Sequence, residues 1–304
     1  MFNRTCKFVL LLTSVSFCCL VKAQSVSILA TNTSFVVATH SQITSSSTIT
    51  SSFKLSVSSG NKAYSLKAAV TAKAFVPNST VFAAVPFTIS LRSVTGVTTS
   101  GGVTGNIQLV ENPPGWSTLA TNATKTGGAT AQWTYDLTLL PIGYTIAPGT
   151  YIFTVTIQYS DGPTPISRTF NITLIVSSAM GISLIQNSST NISFASATAL
   201  ETGVTNNNFH NLQVKSNNPW IITASAPPFF TPTTVDASVD MPCSIIEIRQ
   251  NGVGNFMPLS TLPQTIKTGN AGDVTSSFDM KFTPGYTYNP GIYNIAITYT
   301  VTAQ

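Results

Sequence analysis

The chain repeats itself, and a repeat narrows the choice of fold more than any other feature of this sequence. Tyr144-Thr145-Ile146-Ala147-Pro148-Gly149-Thr150-Tyr151 recurs as Tyr286-Thr287-Tyr288-Asn289-Pro290-Gly291-Ile292-Tyr293, with Tyr, Thr, Pro, Gly and Tyr in register. Upstream, Tyr135-Asp136 pairs with Phe278-Asp279; downstream, Phe153, Val155, Ile157 and Tyr159 pair with Ile295, Ile297, Tyr299 and Val301. Further back, Leu55-Ser56-Val57 aligns with Leu212-Gln213-Val214, Tyr64 with Trp220, Val85-Pro86 with Met241-Pro242, and Val26-Ser27-Ile28 with Ile182-Ser183-Leu184. Gly96 to Tyr135 spans 39 residues and Gly252 to Phe278 spans 26, so the first copy carries a 13-residue excess there. The copies run over residues 24–177 and 178–304.

Within each copy the apolar residues alternate, which puts every second side chain on one face of a strand. Leu55/Val57, Leu66/Ala68/Val70, Phe87/Ile89/Leu91 and Phe153/Val155/Ile157 do so, separated by turn-rich stretches such as Ser58-Ser59-Gly60-Asn61 and Ala147-Pro148-Gly149. No window has a sustained helical period. Seven or eight short strands per copy predict an all-β protein of two tandem antiparallel immunoglobulin-like β-sandwich domains.

The first 23 residues read as a cleaved signal peptide: Arg4 and Lys7, an apolar run from Phe8 to Leu20, then Val21-Lys22-Ala23. That run is shorter than a membrane-spanning helix needs, and no later one is longer, so no transmembrane anchor is expected after cleavage. Cys6, Cys18 and Cys19 leave with the leader, and Cys243 alone cannot form an internal disulfide. Without Arg4, Lys7 and Lys22 the fourteen basic residues become eleven against nine acidic ones, which leaves no electrostatic footprint for nucleic acid. Charged residues make up only 8% of the chain, so there are few side chains for acid-base chemistry.

The copies differ at their ends. After the strand that follows Pro148-Gly149, the first copy turns through Ser160-Asp161-Gly162-Pro163 and runs a further strand with Phe170, Ile172, Leu174 and Val176 on one face. The second copy reaches Thr300-Val301-Thr302-Ala303-Gln304 without that strand. A sandwich short of its last strand exposes backbone hydrogen-bonding groups and an apolar groove. Two outcomes are open: another chain fills the groove by strand addition, or the second copy closes itself with a different topology. The first makes Tyr293, Ile295, Ile297, Tyr299 and Val301 the groove edge.

Pro290-Gly291-Ile292-Tyr293, followed by Ile295, Ile297, Tyr299 and Val301, resembles the end of chaperone-usher pilins. The two-copy layout resembles the tip adhesins of archaic chaperone-usher pili, built from spore-coat-protein-U-like domains, and Pro-Gly-X-Tyr before a strand also resembles bacterial immunoglobulin-like surface repeats. The pilin resemblance implies a complete N-terminal domain that binds a surface and an incomplete C-terminal domain completed by a strand from a chaperone or pilus subunit. Those domains commonly carry a disulfide that this chain lacks. Ser25–Leu29 has a counterpart at Gly181–Ile185 and so reads as each domain's own first strand, which argues against a shaft subunit.

Two Pro-rich segments are candidate ligand-binding loops. Pro113, Pro114 and Trp116 lie in the first copy's excess segment, where Trp116 either projects as an apolar anchor or folds back to cap the sandwich. Phe229 and Phe230 sit in Pro227-Pro228-Phe229-Phe230-Thr231-Pro232, where both rings cannot easily face inward. Tyr64 and Trp220 read as a shared core plug, and Cys243, aligned with Phe87, as a small buried hydrophobe in a strand. His40 and His210, the only histidines, form no metal-spaced cluster, and no cofactor or catalytic residue is assigned. Asn-X-Ser/Thr triplets such as those at Asn32 and Asn78 are expected by chance in so Asn/Ser/Thr-rich a chain. The sequence thus points to an exported, non-enzymatic protein, secreted or at the cell surface, that serves adhesion or fibre assembly. It would cross the periplasm in a Gram-negative cell. A self-complete tandem structural spacer and a carbohydrate-binding accessory module, for which Trp116 would stack on a glycan, are the alternatives.

Overall fold

A computed structural model describes residues 25–58, 62–76, 82–187 and 191–304. The leader, the turn residues Ser59, Gly60 and Asn61, and the triplet at Asn78 lie outside the described residues. The first copy contains strands β1 (Ser25–Ala30), β2 (Ser34–Val37), β3 (Ser47–Ser58), β4 (Tyr64–Val76), β5 (Phe87–Thr95), β6 (Val97–Thr99), β7 (Asn106–Gln108), β8 (Ser117–Lys125), β9 (Ala131–Leu139), β10 (Gly149–Ser160) and β11 (Ile166–Val176). The second contains β12 (Met180–Asn187), β13 (Asn191–Phe194), β14 (Val204–Ser216), β15 (Trp220–Ser225), β16 (Thr231–Pro232), β17 (Ile246–Gln250), β18 (Val253–Pro258), β19 (Gln264–Gly269), β20 (Gly272–Phe282), β21 (Gly291–Asn294) and β22 (Thr298–Ala303). There are more strands than expected because several expected strands are broken and short ones such as β6, β7 and β16 carry little alternation. Helices α1 (His40–Thr44) and α2 (Ala197–Thr202) are single turns, started by the Thr39/Gln42 capping box and by the Ser196 hydroxyl.

The molecule is all-β, in two β-sandwich domains. In the first, the sheet β1-β3-β9-β5-β7 faces the sheet β2-β11-β10-β4-β8-β6, and the inward side chains of both, among them Phe53, Leu55, Phe87, Trp133, Phe153, Ile172 and Leu174, form one core. In the second, β12-β14-β20-β17-β18 faces two three-stranded sheets, β13-β21-β16 and β19-β15-β22, over a separate core. Ala179 belongs to the first core and Met180 packs on the second. Asn217, itself buried, bridges this junction: its amide oxygen accepts from the Ala179 N–H at 2.8 Å and its amide nitrogen donates to the Ser177 carbonyl at 2.9 Å.

The repeated residues hold the same local structures in both domains. The Tyr-x-x-x-Pro-Gly-x-Tyr segment is a tyrosine-locked corner, in which the Tyr293 hydroxyl donates to the Asn289 carbonyl at 2.6 Å and Tyr151 does the same to Ala147. Gly143 and Gly285, with φ of 72° and 76°, donate their N–H to Ile43 and Leu200 in the two short helices, and only glycine takes that conformation without strain. A third shared device is a bulge. β3 against β9 slips between Ile49 and Phe53, and β14 against β20 slips between Asn206 and His210. Each bulge holds a residue at φ 53°, Ser51 or Asn208, whose N–H donates to Asp136 at 2.7 Å or Asp279 at 3.0 Å. Arg92 and Arg249 pair with these carboxylates at 3.3 and 3.0 Å.

Tyr64 and Trp220 both start core strands and are buried. In the first domain Trp133 donates its indole N–H to the Tyr64 hydroxyl at 3.1 Å. In the second, the ladders place Trp220 at the Tyr64 position and Ser276 at the Trp133 position, so the large ring has moved to the opposite sheet. The alignment of Cys243 with Phe87 is corrected. Phe87 pairs with Leu139, and the residue paired with the matching Phe282 is Ile246, because a 3₁₀ turn over Cys243–Ile245 adds three residues between Pro242 and the strand. Cys243 is therefore buried in a turn.

Candidate functional site

The two domains diverge at one edge. In the first, β10 pairs along its whole length with β4 on one side and β11 on the other, and β2 lies outside β11, parallel to it, with Thr173–Val176 against Ser34–Val37. In the second, the counterpart of β10 is broken at Ile295–Ile297 into β21 and β22, and that of β4 into β15 and β16. β13, the counterpart of β2, pairs directly with β21, from Asn191↔Asn294 to Phe194↔Gly291. It keeps its direction but lies one strand closer, in the lane that β11 fills in the first domain. β22 pairs with β15, and among the described residues no strand is hydrogen-bonded to its other edge, which β12 of the facing sheet approaches.

Of the side chains beside this lane, Leu184 is exposed and Ile297 and Tyr299 are part-exposed, while Ile192, Phe209, His210, Phe282 and Ile295 are buried. Ile192, Phe209, His210, Phe282, Ile295, Ile297, Tyr299 and Leu184 line an apolar groove of about 180 Å³ beside β22. Three of the five expected edge residues, Ile295, Ile297 and Tyr299, line it. Tyr293 does not: its strand edge is taken by β13, and its buried ring packs on Phe194 and Phe230. Val301 lies beyond the groove, opposite Ile222.

The floor of the groove holds a polar pair that sequence analysis missed. His210 Nδ1 and the Tyr299 hydroxyl are hydrogen-bonded at 2.6 Å between the two sheets. Burial lowers the imidazole pKa to about 4 and raises that of the phenol, so both are neutral at pH 7. The ladders put His210 where the first domain has Phe53, on which Phe170 of β11 packs with ring centroids 4.9 Å apart. The histidine replacing a core phenylalanine in the aligned copies was the available signal.

The other candidate residues lie apart from this groove. The excess segment is pinned to the edge of β4: the Val70 N–H donates to Val110, the Asn112 N–H donates to Val70, and Lys73 pairs with Glu111 at 2.7 Å. Pro113 and Pro114 are exposed at its tip and Trp116 is half-buried. In the second domain the two rings part: Phe229 is 52% exposed, whereas Phe230 is buried against Tyr293. Among the described residues no helix is long and apolar enough to cross a membrane.

The chain matches no protein-family model and no curated protein. Its fold is similar to part of a family 123 glycoside hydrolase from Clostridium perfringens, with 11% identity and a TM-score of 0.30 over 51% of this chain, which spans only 27% of the hydrolase. It is similar to the CupB6 tip adhesin from Pseudomonas aeruginosa, with 8% identity and a TM-score of 0.32 over 84% of this chain and 86% of that one. It is also similar to the CFA/I adhesin CfaE from enterotoxigenic Escherichia coli, with 10% identity and a TM-score of 0.33 over 90% and 94% of the two chains. At these low TM-scores, the likeness to the two fimbrial adhesins extends over most of the chain.

Proposed function

We propose that this is an exported, non-enzymatic surface protein of adhesive or fibre-forming type, whose second domain is completed by an apolar β-strand from a protein partner such as a chaperone or pilus subunit. One observation carries the reading: the first domain's own β11 occupies the lane that lies open beside β22, so the chain contains a template of the occupant. Strand addition suits such an edge because backbone hydrogen bonds supply pairing and alternate side chains fill pockets. In β11 the pocket-filling residues are Phe170, Ile172 and Leu174, each worth about 1.5–3 kcal/mol when fully buried. The first domain, with its lanes filled and the Pro113-Pro114 tip exposed, is then the ligand-binding part, and Phe229 is a second exposed contact.

The test appends the sequence of Asp161–Val176 after Gln304 in the full chain, so that the added segment turns back along β22 as β11 turns back along β10. The unfolding transition of the second domain is expected to rise by roughly 5 °C or more. The same extension with aspartates at its Phe170 and Ile172 places should give no rise. An unchanged transition with the unmodified extension would sink the reading in favour of a self-complete structural protein, the alternative supported by the pairing of β13 with β21.

A further inference from the structure

The geometry points to β13 as a two-position strand: it sits in the inner lane while the groove is open and moves out by one lane when a partner strand is seated. This rests on the strand-completion reading and adds what the domain itself does. β2 and β13 are anchored alike at both ends. Each is preceded by a first strand on the opposite sheet, β1 or β12, and followed by a helix turn capped by Thr39 or Ser196. Both turns are tied by the same bond, Gly143 N–H to Ile43 O or Gly285 N–H to Leu200 O. The path into β13 is one residue longer than that into β2, because β12 carries a bulge between Leu184 and Gln186. The tethers that hold β2 in the outer lane thus reach equally far for β13. The two positions differ by one strand spacing, about 4.8 Å.

The exchange conserves backbone pairing. Seating an eleven-residue strand like β11 would replace the four pairs from Asn191↔Asn294 to Phe194↔Gly291 with four pairs between the newcomer and β21. β13 would regain a parallel ladder on the newcomer's outer edge, as β2 has on Thr173–Val176. Ile192 and Phe194 would take the inward places that Phe35 and Val37 hold in the first domain. The occupant is therefore a full-length apolar strand antiparallel to β22, and its last four residues compete with β13.

A disulfide that fixes β13 in the inner lane tests this. Ser193 and Ile292 are directly opposite, and the Ile292 N–H and C=O are engaged on the other side, by Thr234 Oγ1 and by the Thr233 N–H. They form a non-hydrogen-bonded pair, with Cα atoms about 4.5 Å apart, a spacing a disulfide can bridge. In the chain from Gln24 to Gln304, without the leader cysteines and carrying S193C, I292C and C243A, binding of two labelled peptides is compared in the reduced and oxidised forms. One peptide has the sequence of Ile166–Val176 and the other that of Ile166–Ile172. The longer peptide is expected to bind the reduced form at least about tenfold tighter than the oxidised form, and the shorter one to bind both equally. Equal binding of the longer peptide to both forms overturns the displacement while leaving strand completion intact. No binding of either peptide to either form overturns both proposals. A second readout needs no lock: with C243A, spin labels at S193C and T231C flank β21, and their separation should grow by about 5 Å when the longer peptide is added. An unchanged distance with peptide bound also refutes the displacement.

Discussion

Replacing Asp279 with asparagine is expected to destabilise the second domain by about 2 kcal/mol at neutral pH, and the loss should vanish in acid. The carboxylate is 1% exposed and accepts hydrogen bonds from the Asn208 N–H at 3.0 Å, Arg249 Nε at 3.0 Å, Asn251 Nδ2 at 2.7 Å and the Gly252 N–H at 3.1 Å. Burial alone would raise its pKa, but these donors outweigh burial and hold it at about 2 against a reference of 3.8. That depression corresponds to about 2 kcal/mol at 1.36 kcal/mol per unit. Because the folded pKa is the lower one, the contribution is complete above the reference value and is lost as pH falls through about 2. Calorimetric unfolding of the full chain from pH 7 to pH 2 should therefore show the variant's transition lower by roughly 5–10 °C at neutral pH, with the two curves converging towards pH 2. Asp136 is the internal comparison, with a 17% exposed side chain and Arg92 at a longer 3.3 Å, and D136N should shift the first domain by less. A D279N offset that persists unchanged to pH 2, or no offset at pH 7, would refute the reasoning.

Two further expectations concern the groove and the aromatic pair. Burial lowers the His210 pKa to about 4, so the native state holds the neutral ring: its stabilisation is full above the reference value of 6.5 and falls by up to about 3 kcal/mol as pH drops through about 4. H210F, which installs the first domain's residue, should flatten that acid slope in a thermal melt series, and an unchanged slope would rule His210 out as its source. F230A should cost about 3–5 kcal/mol by emptying core volume, whereas F229A should change the melting temperature by under about 2 °C; comparable losses would contradict their placement on opposite sides of the loop.

Period-two alternation and the repeat carried most of the architecture. They gave the two sandwiches, and the registers Val26↔Val57 and Ile182↔Val214 agree with the aligned copies. Alternation records which face a side chain occupies, not which backbone lies beside it. For that reason the inner-lane pairing of β13 was not legible: Ile192 and Phe194 point inward in either lane. The split of the second domain's sheet at Ile295–Ile297 was hidden likewise, because the apolar spacing runs through the break without interruption. Cys243 was misplaced because a three-residue 3₁₀ turn follows a shared Pro without any change in composition. The His210–Tyr299 bond joins residues 89 positions apart on opposite sheets, where no sequence spacing connects them.

The edge of β22 also bears on the order of encounters. Thr298–Ala303 contains no charged residue and no proline, the devices that usually keep an exposed strand from joining whatever extended chain it meets. If this edge takes a partner strand as proposed, it is equally unguarded against a wrong one, another copy of this protein included. Timing would count as much as affinity: a partner present as the domain folds captures the edge, whereas a late one must compete with self-association that grows with concentration.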